Sequence, residues 1–270
     1  FILISLFMSL SLVPILLTKR KAPNFKKISG MKLKEVYKSS PFGVVSSFLI
    51  GISHSAVFSL IAVYATSMNF SILEVSIVTF LFAISGAISQ WPIGKLSDVL
   101  DRRIVIIYTT FGAALFCFLA IISSGQMYMP AGLATSKIFF YICIMCFSFC
   151  SLPMFALIFA HTNDFIPKEK FVAAGAGLQF VFGLGAICGP FMCSLFMEFL
   201  GENGFFIFLI IFHSFIGLFG IYRMQIRESG DNPDSQFAPM PQTITPAGIE
   251  LNPSTEPIDE PNNLNEFKKI

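Results

Sequence analysis

Six stretches of this sequence are each long enough and apolar enough to cross a lipid bilayer. They lie near residues 42–67, 75–94, 104–124, 138–160, 171–197 and 204–222. A spanning helix needs roughly 20 consecutive apolar residues. Lipid offers no partner to a backbone N–H or C=O, so a segment crosses either as a helix or as a strand of a closed barrel. Barrel strands are written as alternating segments of about ten residues, whereas the runs here are continuous. The reading is an all-α integral membrane protein built as a six-helix transmembrane bundle. With 13% charged residues and 54% hydrophobic ones, the chain departs from soluble domains, which carry about 25% charge.

A seventh apolar run, Phe1–Leu17, is short for a span and is followed by Lys19, Arg20 and Lys21. A signal peptide carries its positive charge ahead of the apolar run. The pattern is read instead as the end of a further spanning helix that begins upstream, so the sequence is expected to be a fragment. Four regions result: a partial transmembrane helix at 1–17, a basic loop at 18–40, the bundle at 41–228 and a tail at 229–270. The connections near 68–74, 95–103, 125–137, 161–170 and 198–203 are short, which makes successive helices antiparallel neighbours.

Charge orients the bundle. Of the 18 Lys and Arg residues, Lys137 alone falls on one side. The others occupy the 18–40 loop, Lys95, Arg102 and Arg103, Lys168 and Lys170, Arg223 and Arg227, and Lys268 and Lys269. Basic loops stay in the cytoplasm, which predicts a multi-pass protein of the cell inner (plasma) membrane with a cytoplasmic C-terminus. The same distribution explains the net charge of +2 without any nucleic-acid partner. Tyr37, Trp91, Tyr108 and Tyr222 fall near the cytoplasmic edges, and Tyr64, Tyr128 and Tyr141 near the opposite ones, as an aromatic belt would. The tail gathers Pro233, Pro239, Pro241, Pro246, Pro253, Pro257 and Pro261, with Asp231, Asp234, Glu250, Glu256, Asp259, Glu260 and Glu266. That composition predicts a disordered cytoplasmic segment, passive in the first reading, with a regulatory or partner-binding role as the alternative.

Chemistry within the spans is sparse. Cys117, Cys143, Cys146, Cys150, Cys188 and Cys193 all sit in apolar runs and read as packing residues. No metal site, cofactor or catalytic group is expected, and no phosphate-binding glycine loop for ATP appears. Ionisable groups inside a span default to a functional hypothesis, and His54, near the middle of its run, is the one in a central position. Ser47, Gly51, Ser55 and Ser59 share its face. Two settings suit it, a cavity wall or a packed site bonded to a neighbouring helix, and its titration range suits proton coupling. Gln90, on a stripe with Thr79, Ala83 and Gly86, and Gln179 in a later helix are further candidates for contact with a small-molecule substrate. Interhelical hydrogen bonding is their alternative. His213 reads as structural, His161 and Asp164 as a loop cap before Pro167, and Pro92 and Pro153 as kink positions.

The most specific signal is the loop from Gly94 to Arg103, Gly-Lys-Leu-Ser-Asp-Val-Leu-Asp-Arg-Arg. Gly94 permits close approach of a neighbour, Asp98 is an acceptor near the start of the next helix, and Arg102 and Arg103 are donors. Together they read as a charge-assisted latch. A second pattern is Gly185-x-x-x-Gly189-Pro190, whose small face lets helices approach closely and whose proline can bend the helix.

The loop resembles the Gly-x-x-x-Asp-x-x-Gly-x-[Arg/Lys]-[Arg/Lys] signature of the major facilitator superfamily. Gly94, Asp98 and Arg103 match and Arg102 adds a basic residue, while Val99 stands where Arg or Lys is usual and Asp101 where Gly is usual. The Gly185–Pro190 stretch resembles the glycine-proline pattern of the same superfamily. Ser40–Gly43, Gln90–Asp98 and Ala160–Asp164 extend the resemblance to a bacterial branch, over about residues 1–222. The resemblance implies a twelve-helix carrier, with this chain holding the end of helix six and helices seven to twelve, and a missing N-terminal six-helix half as partner. It further implies secondary active transport of a small solute by alternating access, with Gly94, Asp98, Arg102 and Arg103 as a gating loop. A sensor or scaffold of transporter fold is the alternative. An intramembrane enzyme would need paired carboxylates or histidine clusters facing a cavity, which the sequence lacks.

Overall fold

The computed structural model describes residues 5–7, 9–11, 13, 30–123, 137–228, 230 and 237–239. The helices are α1 Leu33–Ser39, α2 Pro41–Ser67, α3 Ile72–Val99, α4 Arg102–Ser123, α5 Lys137–Ser151, α6 Met154–Asn163, α7 Phe171–Leu200 and α8 Gly204–Ile226, with a 3₁₀ turn at Lys168–Lys170. Among the described residues no strand occurs. With α5 and α6 counted together, six helical segments are long and apolar enough to span a membrane, and all six coincide with the runs in the sequence. Residues 5–7, 9–11 and 13 of the expected partial helix are helical. The rest of 1–29, the link at 124–136 and most of the expected disordered tail lie outside the described residues.

Local chemistry sets the helix ends. Pro41 opens α2, where its missing N–H costs nothing, and the Ser40 hydroxyl accepts the Gly43 N–H at 3.2 Å. The α3 start is a capping box: the Ser71 Oγ accepts the Glu74 N–H, and the Glu74 carboxylate accepts the Ser71 N–H at 2.8 Å, satisfying two otherwise orphaned donors. At α4 the Asp101 carboxylate accepts the Arg103 N–H at 3.0 Å. Asp101, not Asp98, is therefore the acceptor at the start of this helix. Asp98 lies in the last turn of α3, because that helix runs on to Val99.

The two prolines behave differently. Pro92 sits inside α3, which continues past it. At Pro153 the apolar run divides into α5 and α6. Proline removes a donor and disfavours helical geometry in the residue before it, which leaves carbonyls at the end of α5 in need of other partners.

The central helix is α2, which contacts α7, α8, α3 and α6. Its contact with α7 is backbone to backbone. A Cβ placed on Gly51 would fall on the Phe182 carbonyl, one on Gly185 on the Phe48 carbonyl, and one on Gly189 on the Ile52 carbonyl. The Ser47 hydroxyl donates to the Leu178 carbonyl across the same seam at 2.8 Å. At the end away from the arginines, aromatic rings fill the core. Tyr64 stacks on Phe205 with centroids 5.1 Å apart and meets Phe206 edge-on. Tyr64 is thus a core residue and not part of an interfacial belt, because its face of α2 turns toward α8. The most apolar stretches of α3 and α7 are 28% buried, against 50–67% for the other four spans, so these two helices present most of the outward surface.

Candidate functional site

At the basic end of the bundle, the signature loop forms a layered set of ion pairs. Arg102 reaches two carboxylates. Its Nη2 lies 3.0 Å from Asp98 Oδ1 one turn back on α3, and its Nη1 donates to Asp164 Oδ1 just past α6. Nη1 also lies 3.3 Å from the Ala160 carbonyl. The Arg102 and Asp164 side chains are 9% and 10% exposed, whereas Asp98 stands at the rim.

Arg103 faces the other way. It grips Asp101 with two parallel bonds, Nε to Oδ1 at 3.1 Å and Nη2 to Oδ2 at 2.7 Å, a planar fork fitted to a carboxylate. Its Nη1 donates to the Arg227 carbonyl at 2.6 Å, beyond the end of α8. Arg227 in turn donates to the Ser39 carbonyl at 2.5 Å and lies over the Phe165 ring at 4.1 Å. The two neighbouring arginines thereby tie α3, α4, α6, α8 and α1 together at one end.

The aspartate that replaces the usual glycine at 101 gives up a tight turn and gains both a helix cap and a fork partner. Burial pushes the Asp101 carboxyl up, and the bonds from Arg103 outweigh it, holding the group below its ordinary 3.8. A depressed folded value means that the stabilisation is present above that pH and fades as pH falls below it. The difference in thermal unfolding temperature between the parent and Asp101→Asn should therefore shrink below about pH 3.8. A constant difference at lower pH would refute the ion pair.

A second constellation lies inside the bundle, at the α5–α6 break. His54 is 1% exposed, and its Nε2 stands 3.1 Å from both the carbonyl and the hydroxyl of Ser151. The Ser151 Oγ lies 2.8 Å from His213 Nε2, and His213 Nδ1 lies 2.9 Å from the Leu209 carbonyl and 3.3 Å from Ser53 Oγ. A carbonyl only accepts, so His54 carries its proton on Nε2 and His213 on Nδ1, and Ser151 donates to His213 Nε2. One chain of neutral donors results, from His54 through Ser151 and His213 to Leu209. It supplies a donor to a carbonyl at the end of α5, where the helix breaks. His54→Leu leaves that carbonyl unmet and should lower stability by about 1–3 kcal/mol, as read by thermal unfolding in detergent.

The other candidates are spread out. Ser55 donates to the Ile52 carbonyl at 3.1 Å in its own helix and borders Gly189. Gln90 and Gln179 are half-buried on α3 and α7, and the Gln90 Oε1 is buried without a hydrogen-bond partner among the described residues. Pro190 lies within α7, which runs on to Leu200. Sequence reasoning passed over Asp164 as an ion-pair partner, Ser151 and His213 as members of a polar node, and the Arg227 carbonyl as an acceptor for Arg103. Asp164 carried a usable signal, a lone acid at the basic end of an apolar run. Ser151 carried none.

The sequence matches the Major Facilitator Superfamily over residues 1–129 and over residues 43–256. The chain belongs to the major facilitator superfamily. An uncharacterised transporter of this superfamily from Yersinia enterocolitica is 23% identical over 201 residues, 74% of this chain and 47% of the relative. One from Bacillus subtilis is 26% identical over 191 residues, 68% of this chain and 45% of the relative. The chain therefore spans about half the length of the curated relatives it matches. No solved structure matches it. As a superfamily member with six helical segments long and apolar enough to span a membrane among its described residues, it is a multi-pass membrane protein of a transporter family rather than an enzyme family.

Proposed function

We propose that this chain is the carboxy-terminal half of a secondary transporter that moves a small solute by alternating access, with the ion-paired end acting as a gate. The observation that carries the reading is Arg102 held between Asp98 on α3 and Asp164 beyond α6. A largely buried charge pair is a discrete contact that is either made or broken, which suits a two-state element better than a graded one. The exposed faces of α3 and α7 are where a second six-helix half packs. The basic end is the cytoplasmic one and the membrane is the inner (plasma) membrane, following the distribution of Lys and Arg.

Substrate passes between the halves, in contact with α3 and α7. Gln90 is the side chain best suited to meet it, since a buried carboxamide oxygen without a partner is costly until something donates to it. The transport test uses the complete gene in a growth or efflux screen, followed by uptake kinetics. Gln90→Leu should raise KM roughly tenfold with kcat little changed, as expected for one lost hydrogen bond. Asp98→Asn should lower turnover more than substrate binding, because it weakens the gate and not the site. Equal loss of both would argue against a gate. Absence of transport of any solute by the complete protein would favour a sensor of transporter fold.

A further inference from the structure

The tail returns to the gate. Gly230 and Phe237 lie beyond the last helix, in a stretch whose composition suggests no packing. Yet a Cβ on Gly230 would lie 2.8 Å from both the Cβ and the carbonyl of Asp164. Farther on, the Phe237 N–H donates to Asp98 Oδ1 at 2.9 Å. The Phe237 ring lies against the bare α-carbon of Gly94, so closely that a Cβ there would overlap the ring. Phe237 also packs against two core clusters, one containing Val36, Val44 and Phe171 and the other Ile93 and Phe155.

These contacts bracket one group. Asp98 and Asp164 are the two residues whose carboxylates hold Arg102; the tail bonds to the first carboxylate and lies beside the Cβ and backbone carbonyl of the second. The ring seat exists because position 94 has no side chain. A ring in that seat also covers apolar side chains of both clusters. Two chemistries reinforce each other in the seat: burial of an aromatic ring and a hydrogen bond to an ionised acceptor.

We infer that the tail acts as a strap anchored at Gly230 and Phe237, which docks Phe237 on the Gly94–Asp98 face and restrains the opening of the Arg102 ion pairs. The strap is an intramolecular ligand of the signature loop. It adds a donor to Asp98 and shields the pair with Asp164, so the loop opens less often while the strap is seated. This role is additional to gating by the loop itself and does not require that any substrate be known.

Hydrogen exchange on the purified full chain in detergent tests the strap without a transport assay. In the parent, the Phe237 amide should exchange roughly tenfold or more slowly than in Phe237→Ser or Gly94→Leu, since both variants lose the ring seat. Phe237→Ser should also speed exchange at the Arg103 and Ile104 amides severalfold, because the loop then opens more often. Protection of the α2 amides reports whether each variant remains folded. If Gly94→Leu loses that protection, Phe237→Ser decides, since it changes no residue of the bundle. Equal Phe237 exchange in parent and variant would overturn the docking. Unchanged exchange at Arg103 and Ile104 would overturn the restraint.

Discussion

Arg102→Ala is expected to lower folding stability by about 3–5 kcal/mol, the usual cost of removing one partner of a buried ion pair. The cause is less the lost attraction than what stays behind. Asp164 is 10% exposed on its side chain, and without Arg102 its carboxylate is left inside the protein with little water to replace the guanidinium. Arg102→Lys should rescue little. Lysine is a single point donor, whereas Arg102 meets Asp98 from Nη2 and both Asp164 and the Ala160 carbonyl from Nη1, a planar fork that an ammonium does not reproduce. Thermal unfolding of the purified protein in detergent reads the effect, and a double-mutant cycle assigns it. Arg102→Ala with Asp164→Ala together should cost well under the sum of the single changes. Additive effects would show that the pair is not coupled. Unchanged unfolding temperatures in both single variants would dismiss it as a stabilising contact.

The second large effect is steric. Gly185→Leu should cost about 3 kcal/mol or more, at or above the upper range for overpacking, because the missing Cβ is where the Phe48 carbonyl of α2 lies. Backbone does not move aside as a side chain can, so α2 and α7 must separate along the whole seam that Gly51, Gly185 and Gly189 share. Gly183→Ala is the control, since a Cβ there meets nothing within 4 Å. It should be neutral or slightly stabilising, as glycine costs a helix about 1 kcal/mol relative to alanine. If the two substitutions behave alike in thermal unfolding, close helix approach is not what position 185 provides.

The Gly94–Arg103 loop shows how far sequence reading reaches. Gly94, Asp98, Arg102 and Arg103 lie within ten residues, so their spacing alone places them at one loop. Asp101 illustrates the reverse. Judged against the family pattern it is a departure, and only the position of Arg103 beside it shows what it does. At His54 the sequence left two settings open, because helical spacing gives its face but not what that face meets. In the structure it meets the Ser151 carbonyl, at the end of another helix beside the Pro153 break.

By itself the sequence determined the membrane, six apolar runs long enough to cross it, the helical class and the loop signature. Each of these follows from short-range facts: the length of an apolar run, the position of a charge, a motif of ten residues. Tertiary structure decided the partners. Arg102 finds Asp164 across 62 positions, His54 finds Ser151 across 97, and Phe237 finds Asp98 across 139. Nothing local encodes such pairings here, because these spans are mostly apolar and the short polar stripes on two of them give a face but not the residue that it meets. Where hydropathy cannot orient a helix, the small contacts do. Bare glycines admit a neighbouring backbone, a histidine meets a carbonyl beside a helix break, and a pair of carboxylates holds one arginine, so what each side chain does is settled by the neighbours that packing brings to it.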